Sequence, residues 1–289
     1  MQRRRLASAL TPYALLFPGG LWMAIFFVVP IVVMLSLSTM TGGIIEGFRQ
    51  TFHLANYSGV LSLYHDQFVR SVIYGLITTV AAILISFPMA YWISRYGGAR
   101  KPMYLLLMLL PFFVTFVLRT LAWQFLLSDN GLLLGPLHDI GLVPSDFHIL
   151  ATSFAVIASL TYYSIPFMVL PIYVALERID PEVMEAASDL YAGKAHRFLR
   201  VVLPLSLPGV FAGVLLTFVP VTSDYISASI LGGPGQVMIG NVIETLYVTN
   251  SDYPQASALS FVLMAALLLG IFAYARVLGT EDVLEVSAA

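Results

Sequence analysis

The residues able to do chemistry in this 289-residue chain gather between Glu177 and Arg200, where a 59% hydrophobic sequence turns sharply charged. Catalytic signatures are missing from it. No GxxxxGK[ST] cradle for nucleotide phosphates occurs, and neither HExxH nor GxSxG is present. The five histidines are dispersed as His53, His65, His138, His148 and His196, without the close spacing that metal coordination needs, so no metal site is expected. With no cysteine, disulfides, thiolate chemistry and cysteine-ligated metals are excluded. An intramembrane enzyme would need a nucleophile–base pair, and none can be assembled.

What the charged island can do is present a surface. Asp180 suits an N-cap and Pro181 a first helical position, while Glu182 and Glu185 favour the positive end of the helix dipole. The helix is expected to run through Val183, Met184, Glu185, Ala186 and Ala187 to a stop at Gly193. The paired alanines leave a bare patch that a partner can approach, and Val183, Met184 and Leu190 can anchor that partner. Beyond Gly193, His196, Arg197 and Arg200 lead back to the lipid headgroups, and Pro204 and Pro208 open the next apolar stretch. The competing reading is an ordinary connecting loop with a helical turn.

The elements holding this island are greasy enough for lipid. Mean hydropathy is +0.88 and only 10% of residues are charged, against about a quarter in soluble domains. Six stretches can cross the hydrocarbon as helices, near 13–38, 69–94, 103–127, 149–176, 205–229 and 257–278. They are too long and continuous for the alternating strands of a β-barrel. One membrane domain, 13–278, is expected between a short N-terminus, 1–12, and a tail, 279–289, with the loop 177–204 between spans four and five. Nothing points to nucleic acid.

Basic residues set the orientation. Arg3, Arg4 and Arg5 precede span one; Arg95, Arg100 and Lys101 separate spans two and three; Arg178, Lys194, Arg197 and Arg200 separate spans four and five; Arg276 ends span six. By the positive-inside rule both termini and the island are cytoplasmic. The first apolar run, from Tyr13 to about Leu37, exceeds a signal-peptide core and is read as an uncleaved span. The opposite loops are a polar, glycine-containing segment at 40–68, a segment at 128–148, and one at 230–256, where Val242, Ile243, Leu246 and Tyr247 recur at helical spacing. Pro30, Pro88, Pro111, Pro166, Pro171 and Pro220 interrupt most spans, which suits a bundle that opens a pathway but is also common in membrane helices. Gly209 and Gly213, four apart, offer a close-packing face without naming its partner.

Glu185-Ala186-Ala187, followed by Val201, Leu203 and Pro204, resembles the EAA loop of inner-membrane permease subunits of binding-protein-dependent ABC importers. Tyr191 stands where that family has its first glycine, and a glycine follows at Gly193 instead. The segments at 110–134, 162–187 and 223–243 are similar to spermidine/putrescine-type permeases, a group itself similar to permeases for iron(III), thiamine, sulfate and phosphonates. The resemblance implies an all-α, six-span type I importer fold in the bacterial inner membrane. It also implies a second, related permease subunit, ABC ATPase subunits carrying the ATP and Mg2+, and an extracytoplasmic substrate-binding protein. This chain would hold no cofactor of its own. The helix from Asp180 to about Ala192 would be the coupling helix, with Glu185 pairing a basic ATPase residue and Ala186 and Ala187 giving the close contact.

Two ionisable residues lie at membrane depth, Arg119 in span three and Asp224 near the end of span five. Such charges are costly and face the bundle interior or water. Given that resemblance, Asp224 with Tyr225 and Trp123 could receive a cationic amine. Alternatively Arg119 and Asp224 pair, or Asp224 is a cap. Arg119 would repel an amine, which favours a structural role. A self-sufficient secondary transporter, the other functional class, would need coupling carboxylates and often inverted repeats; Asp224 is its single acidic candidate.

Overall fold

The computed structural model describes residues 15–144, 146–190 and 193–277. The arginines at positions 3–5, Tyr191 and the tail from 279 lie outside them. Among the described residues five helices are long and apolar enough to cross a membrane, or six if one bent pair counts as a span. These residues fall into two compact units, one of 15–63 with 243–265 and the other of 64–242 with 266–277.

In the first unit, helix α1 (Leu15–Ser38) carries no buried residue in its most apolar window, as a helix facing lipid requires. The polar, glycine-containing 40–68 segment is folded. Strands β1 (Met40–Gly43) and β2 (Gly47–Gln50) pair antiparallel, with Gly43 opposite Gly47. Gly42 and Gly47 take φ of +109° and +77°, which tightens the connection at no steric cost. Asn56, on α2 (Ala55–Leu63), donates to the carbonyls of Ser38 (3.0 Å) and Met40 (2.9 Å), so one amide holds the α1–β1 junction.

The core of the second unit is three helices: α3 (His65–Tyr96), α7 (Ser153–Glu177) and α9 (Lys194–Thr222). Ala82, Phe87 and Ala90 of α3 interlock with Met168, Val169 and Ile172 of α7 and Val202 of α9. The Gly209–Gly213 face now has a partner within the chain. A Cβ on Gly209 would lie 2.5 Å from the Pro171 carbonyl oxygen, and one on Gly213 would lie 2.5 Å from Met168 Sδ. The small residues therefore seat α9 on α7.

Two departures from the sequence reading concern helix continuity. The stretch 103–127, expected as one span, is α4 (Gly98–Phe113) and α5 (Phe116–Leu127), meeting at 89°. Val114 and Thr115 between them are extended (ψ 136° and 149°). The fifth span was expected from about 205, opened by Pro204 and Pro208; instead α9 begins at Lys194 and passes through both prolines. A π-helical turn at Phe198–Val202 makes this possible, with the Leu203 N–H donating to the Phe198 carbonyl five residues back. That register shift absorbs the donor missing at Pro204. Gly193 is extended (φ −128°, ψ 140°) and caps α9, so it starts the next helix.

The remaining helices are short, apart from the last apolar one: α6 (Leu134–Asp139), α8 (Pro181–Leu190), α10 (Ile226–Leu231), α11 (Ile239–Glu244) and α12 (Tyr253–Val277).

Candidate functional site

Helix α8 is built as its residues require. The Glu182 N–H donates to Asp180 Oδ1 at 2.9 Å and the Met184 N–H to the Asp180 carbonyl at 3.4 Å. Asp180 thus satisfies two of the amides that a helix start leaves open.

Its faces divide differently from the sequence reading, which put both alanines and Met184 toward a partner. Ala187 is 5% exposed. Met184, three residues earlier on the same face, packs on the cluster formed by α3, α7 and α9. Among the helix positions whose burial is described, Glu182, Val183, Glu185 and Ala186 are exposed. The reason is helical periodicity: two adjacent alanines sit 100° apart and cannot share a face fully. The side chain of Leu190 lies outside the described residues. Val183 also lines a cleft of about 580 Å³ with Val174, Arg178, Asp180, Leu205 and Pro208.

The base of α8 is tied down by contacts that no sequence motif announced. Glu177, closing α7, accepts from Lys101 Nζ at 2.8 and 3.0 Å and from Ser94 Oγ at 2.7 Å. Arg95 donates to the Leu176 carbonyl at 3.4 Å. Phe198 meets Phe87 and Tyr91 edge-on at 5.5 and 5.8 Å, fastening the start of α9 to α3. The segments flanking α8 are thereby joined to α3 and α4.

Arg119 and Asp224 do not form an ion pair; the pairs within 4.0 Å among the described residues join other groups. The Arg119 guanidinium lies 4.6 Å above the Phe112 ring, 5.3 Å from that of Tyr163 and 6.0 Å from that of Phe116. Asp224 is a cap: its Oδ1 accepts from the Ser227 N–H at 2.8 Å, at the start of α10. Trp123 packs on Tyr162 at 5.8 Å. Tyr225 is about half exposed, and its carbonyl accepts from Asn241 Nδ2 at 2.6 Å.

Asn241, which the sequence did not single out, ties the 225–241 segment together. Its Nδ2 also donates to Ser229 Oγ at 2.7 Å, and its Oδ1 accepts from the Met238 N–H at 2.9 Å. Ser71 Oγ accepts from the Ile239 N–H at 2.7 Å, fixing this segment to α3.

A short capped helix between two apolar spans does not name a family by itself; comparison with known proteins decides it. The family model described as the binding-protein-dependent transport system inner membrane component matches residues 64–279. The chain belongs to this family. As a permease of it, the chain is 34% identical over 256 residues to the spermidine/putrescine transport system permease protein PotB of Haemophilus influenzae, covering 88% of this chain and 90% of the relative. To the protein of that name from Escherichia coli K12 it is 31% identical, covering 88% and 93%. A crystal structure of a bacterial ABC transporter involved in the import of the acidic polysaccharide alginate contains a chain of the same fold. The TM-score is 0.73 at 19% identity, over 95% of this chain and 98% of the other. The permease is thus an all-α inner-membrane protein of the type I importer class, the membrane subunit of a binding-protein-dependent import system.

Proposed function

We propose that this permease forms half of an ATP-driven import pathway for polyamines, with α8 as the helix that docks on a partner ATPase. The substrate class rests on one observation, the 31–34% identity to spermidine/putrescine permeases across 88% of the chain. The energy source rests on membership of the binding-protein-dependent transport family, while this sequence has no phosphate cradle of its own. A partner must then bind and hydrolyse the ATP, with its Mg2+, and this chain carries no cofactor. A second, related permease completes the pathway, and an extracytoplasmic binding protein delivers the substrate. The distribution of basic residues supports a cytoplasmic position for α8 and both termini, the side on which an ATPase would act.

The docking surface includes Glu182, Val183, Glu185 and Ala186, which are exposed among the described positions of α8. Small Ala186 admits a groove wall closely, and Glu185 offers a carboxylate to a basic ATPase side chain. Ala187 and Met184 form the inner side of the same device, seated in the permease's own core and carrying displacement into α3, α7 and α9. Gly193 lies at the hinge between α8 and α9. Asp224 and Arg119 have structural tasks in this resting arrangement, as cap and as ring-packed cation.

The test is ATPase activity of the complete complex in lipid, with binding protein added together with spermidine or putrescine, or with sulfate, thiamine, iron(III) or a phosphonate. Stimulation confined to the amines is expected. Stimulation confined to another solute would replace the substrate while leaving the importer intact.

A further inference from the structure

Arg119 occupies an expensive position. It lies in the first turn of α5, where the helix dipole disfavours a cation, and at membrane depth, where any charge is costly. No carboxylate offsets it within ion-pair distance among the described residues, and its buried Nε has no hydrogen-bond partner. What holds the guanidinium is aromatic. Phe112, Phe116 and Tyr163 surround it at 4.6 to 6.0 Å, and Phe167 backs them, meeting Phe112 at 5.0 Å and Tyr163 at 5.4 Å.

The cluster stands on the inner side of α5. Leu118, Leu121 and Phe125 are exposed, as lipid contact would leave them, whereas Phe116, Arg119 and Trp123 recur at helical spacing on the face turned to α7. It also adjoins the extended Val114–Thr115 break, where the backbone leaves helical pairing. Irregular backbone at membrane depth is tolerated where it is buried in protein or lines a water-filled cavity.

Ring faces attract any cation, with no preference for guanidinium built into their geometry. A cation held by rings alone can be exchanged for another, which a bidentate carboxylate partner would resist. Two cations cannot share the space. We propose that the Phe112–Phe116–Tyr163 cage is a cation site on the translocation route, occupied in the resting permease by Arg119, whose guanidinium stands in for the ammonium group of an alkylamine substrate and is displaced as the amine passes. This rests on the amine reading of the substrate. It turns the apparent conflict between an arginine and a cationic cargo into a gate: the arginine repels a second cation until it yields the rings.

Because the chain has no cysteine, the cage can be probed directly. In the complete transporter in lipid, an Arg119→Cys variant places a thiol beside the vacated rings. Its rate of modification is measured with a cationic methanethiosulfonate and a neutral one of similar size, each normalised to its rate with a free thiol. The cationic reagent is expected to react about 2- to 30-fold faster, the range set by cation–π energies, and spermidine is expected to slow it. Adding Phe112→Leu should erase most of that preference. Equal normalised rates with no protection by spermidine, or a thiol that neither reagent reaches, would overturn the proposal. Amine-stimulated ATPase activity of the wild-type complex, measured in parallel, separates the two failures. If it is present while the cage shows no cation preference, the cage alone is wrong; if it is absent and spermidine gives no protection, the amine reading falls and the cage with it.

Discussion

The Lys101 ammonium bridges both carboxylate oxygens of Glu177, at 2.8 and 3.0 Å, and so pins the first turn of α4 to the last residue of α7, immediately before α8. Ser94 Oγ adds a third hydrogen bond, from α3, at 2.7 Å. One side chain thereby joins three helices at the root of α8. Both partners remain partly exposed, so the pair is worth about 1 kcal/mol or less to stability. Its larger effect should be on transmission. Glu177→Gln keeps an acceptor for Ser94 but loses the charge that attracts Lys101. It should lower the melting temperature of the purified permease only slightly while reducing ATPase stimulation by loaded binding protein. Lys101→Met should do the same. The double variant should be no worse than either single one, because they remove a shared contact. Additive losses in the double variant would mean that the two residues act separately.

The α7–α9 contact predicts an asymmetry between two glycines. At Gly209 an added methyl meets the Pro171 backbone oxygen at 2.5 Å and Ala175 Cβ at 2.6 Å, neither of which can move alone. At Gly213 the nearest atom is Met168 Sδ, the far end of a flexible side chain. Gly209→Ala should therefore cost about 1–3 kcal/mol, the usual range for overpacking, and Gly213→Ala distinctly less. Thermal unfolding of the two variants in detergent, followed by circular dichroism, orders them. Equal losses would show that Met168 has no room to shift.

The residues that reveal these relationships differ in how much they disclose beforehand. The start of α8 was legible because Asp180-Pro181-Glu182 states a cap, a first turn and a dipole in consecutive positions. Its orientation was not: helical spacing groups Met184 with Ala187, but only the surrounding helices decide whether that face turns inward. At the Val114–Thr115 break, Pro111 three residues earlier marked an interruption, but a proline states no angle, and apolar composition there suits a kinked span as well as a right-angled one. Pro204 misled for the opposite reason. It reads as a helix start, yet a π-helical turn lets α9 run through it. Glu177 and Lys101 are 76 positions apart, and no local pattern pairs them.

Asp224 tests whether a membrane-depth carboxylate acts by charge or by hydrogen bonding. Its Oδ1 caps α10 through the Ser227 N–H. Asparagine presents an oxygen of the same geometry, whereas alanine presents none. Asp224→Asn should keep both stability and transport close to wild type. Asp224→Ala should lose about 1 kcal/mol, the usual worth of a cap, and transport should fall with the distorted 225–241 segment. A strong loss of amine uptake in Asp224→Asn, with unchanged melting and saturating binding protein, would instead give the charge a role in contacting substrate.

Ala186 and Ala187 are adjacent and chemically identical, yet they face opposite tasks, and this makes them the sharpest probe of the docking proposal. Ala186 is exposed and Ala187 is 5% exposed. In this cysteine-free chain, Ala186→Cys should crosslink to a cysteine placed in the ATPase groove, with a yield that changes between nucleotide-free and ATP-bound states. Ala187→Cys should crosslink poorly, because its thiol points into the permease. Enlargement should separate them again. Ala186→Trp should abolish amine uptake and ATPase assembly while leaving the melting temperature of the permease unchanged, since the ring meets only solvent until the partner arrives. Ala187→Trp should lower that melting temperature, by an amount corresponding to about 1–3 kcal/mol of overpacking, before any partner is added. Efficient crosslinking from Ala187 but not Ala186 would mean that α8 rotates on docking, and that the inward face seen here belongs to the unpartnered permease alone.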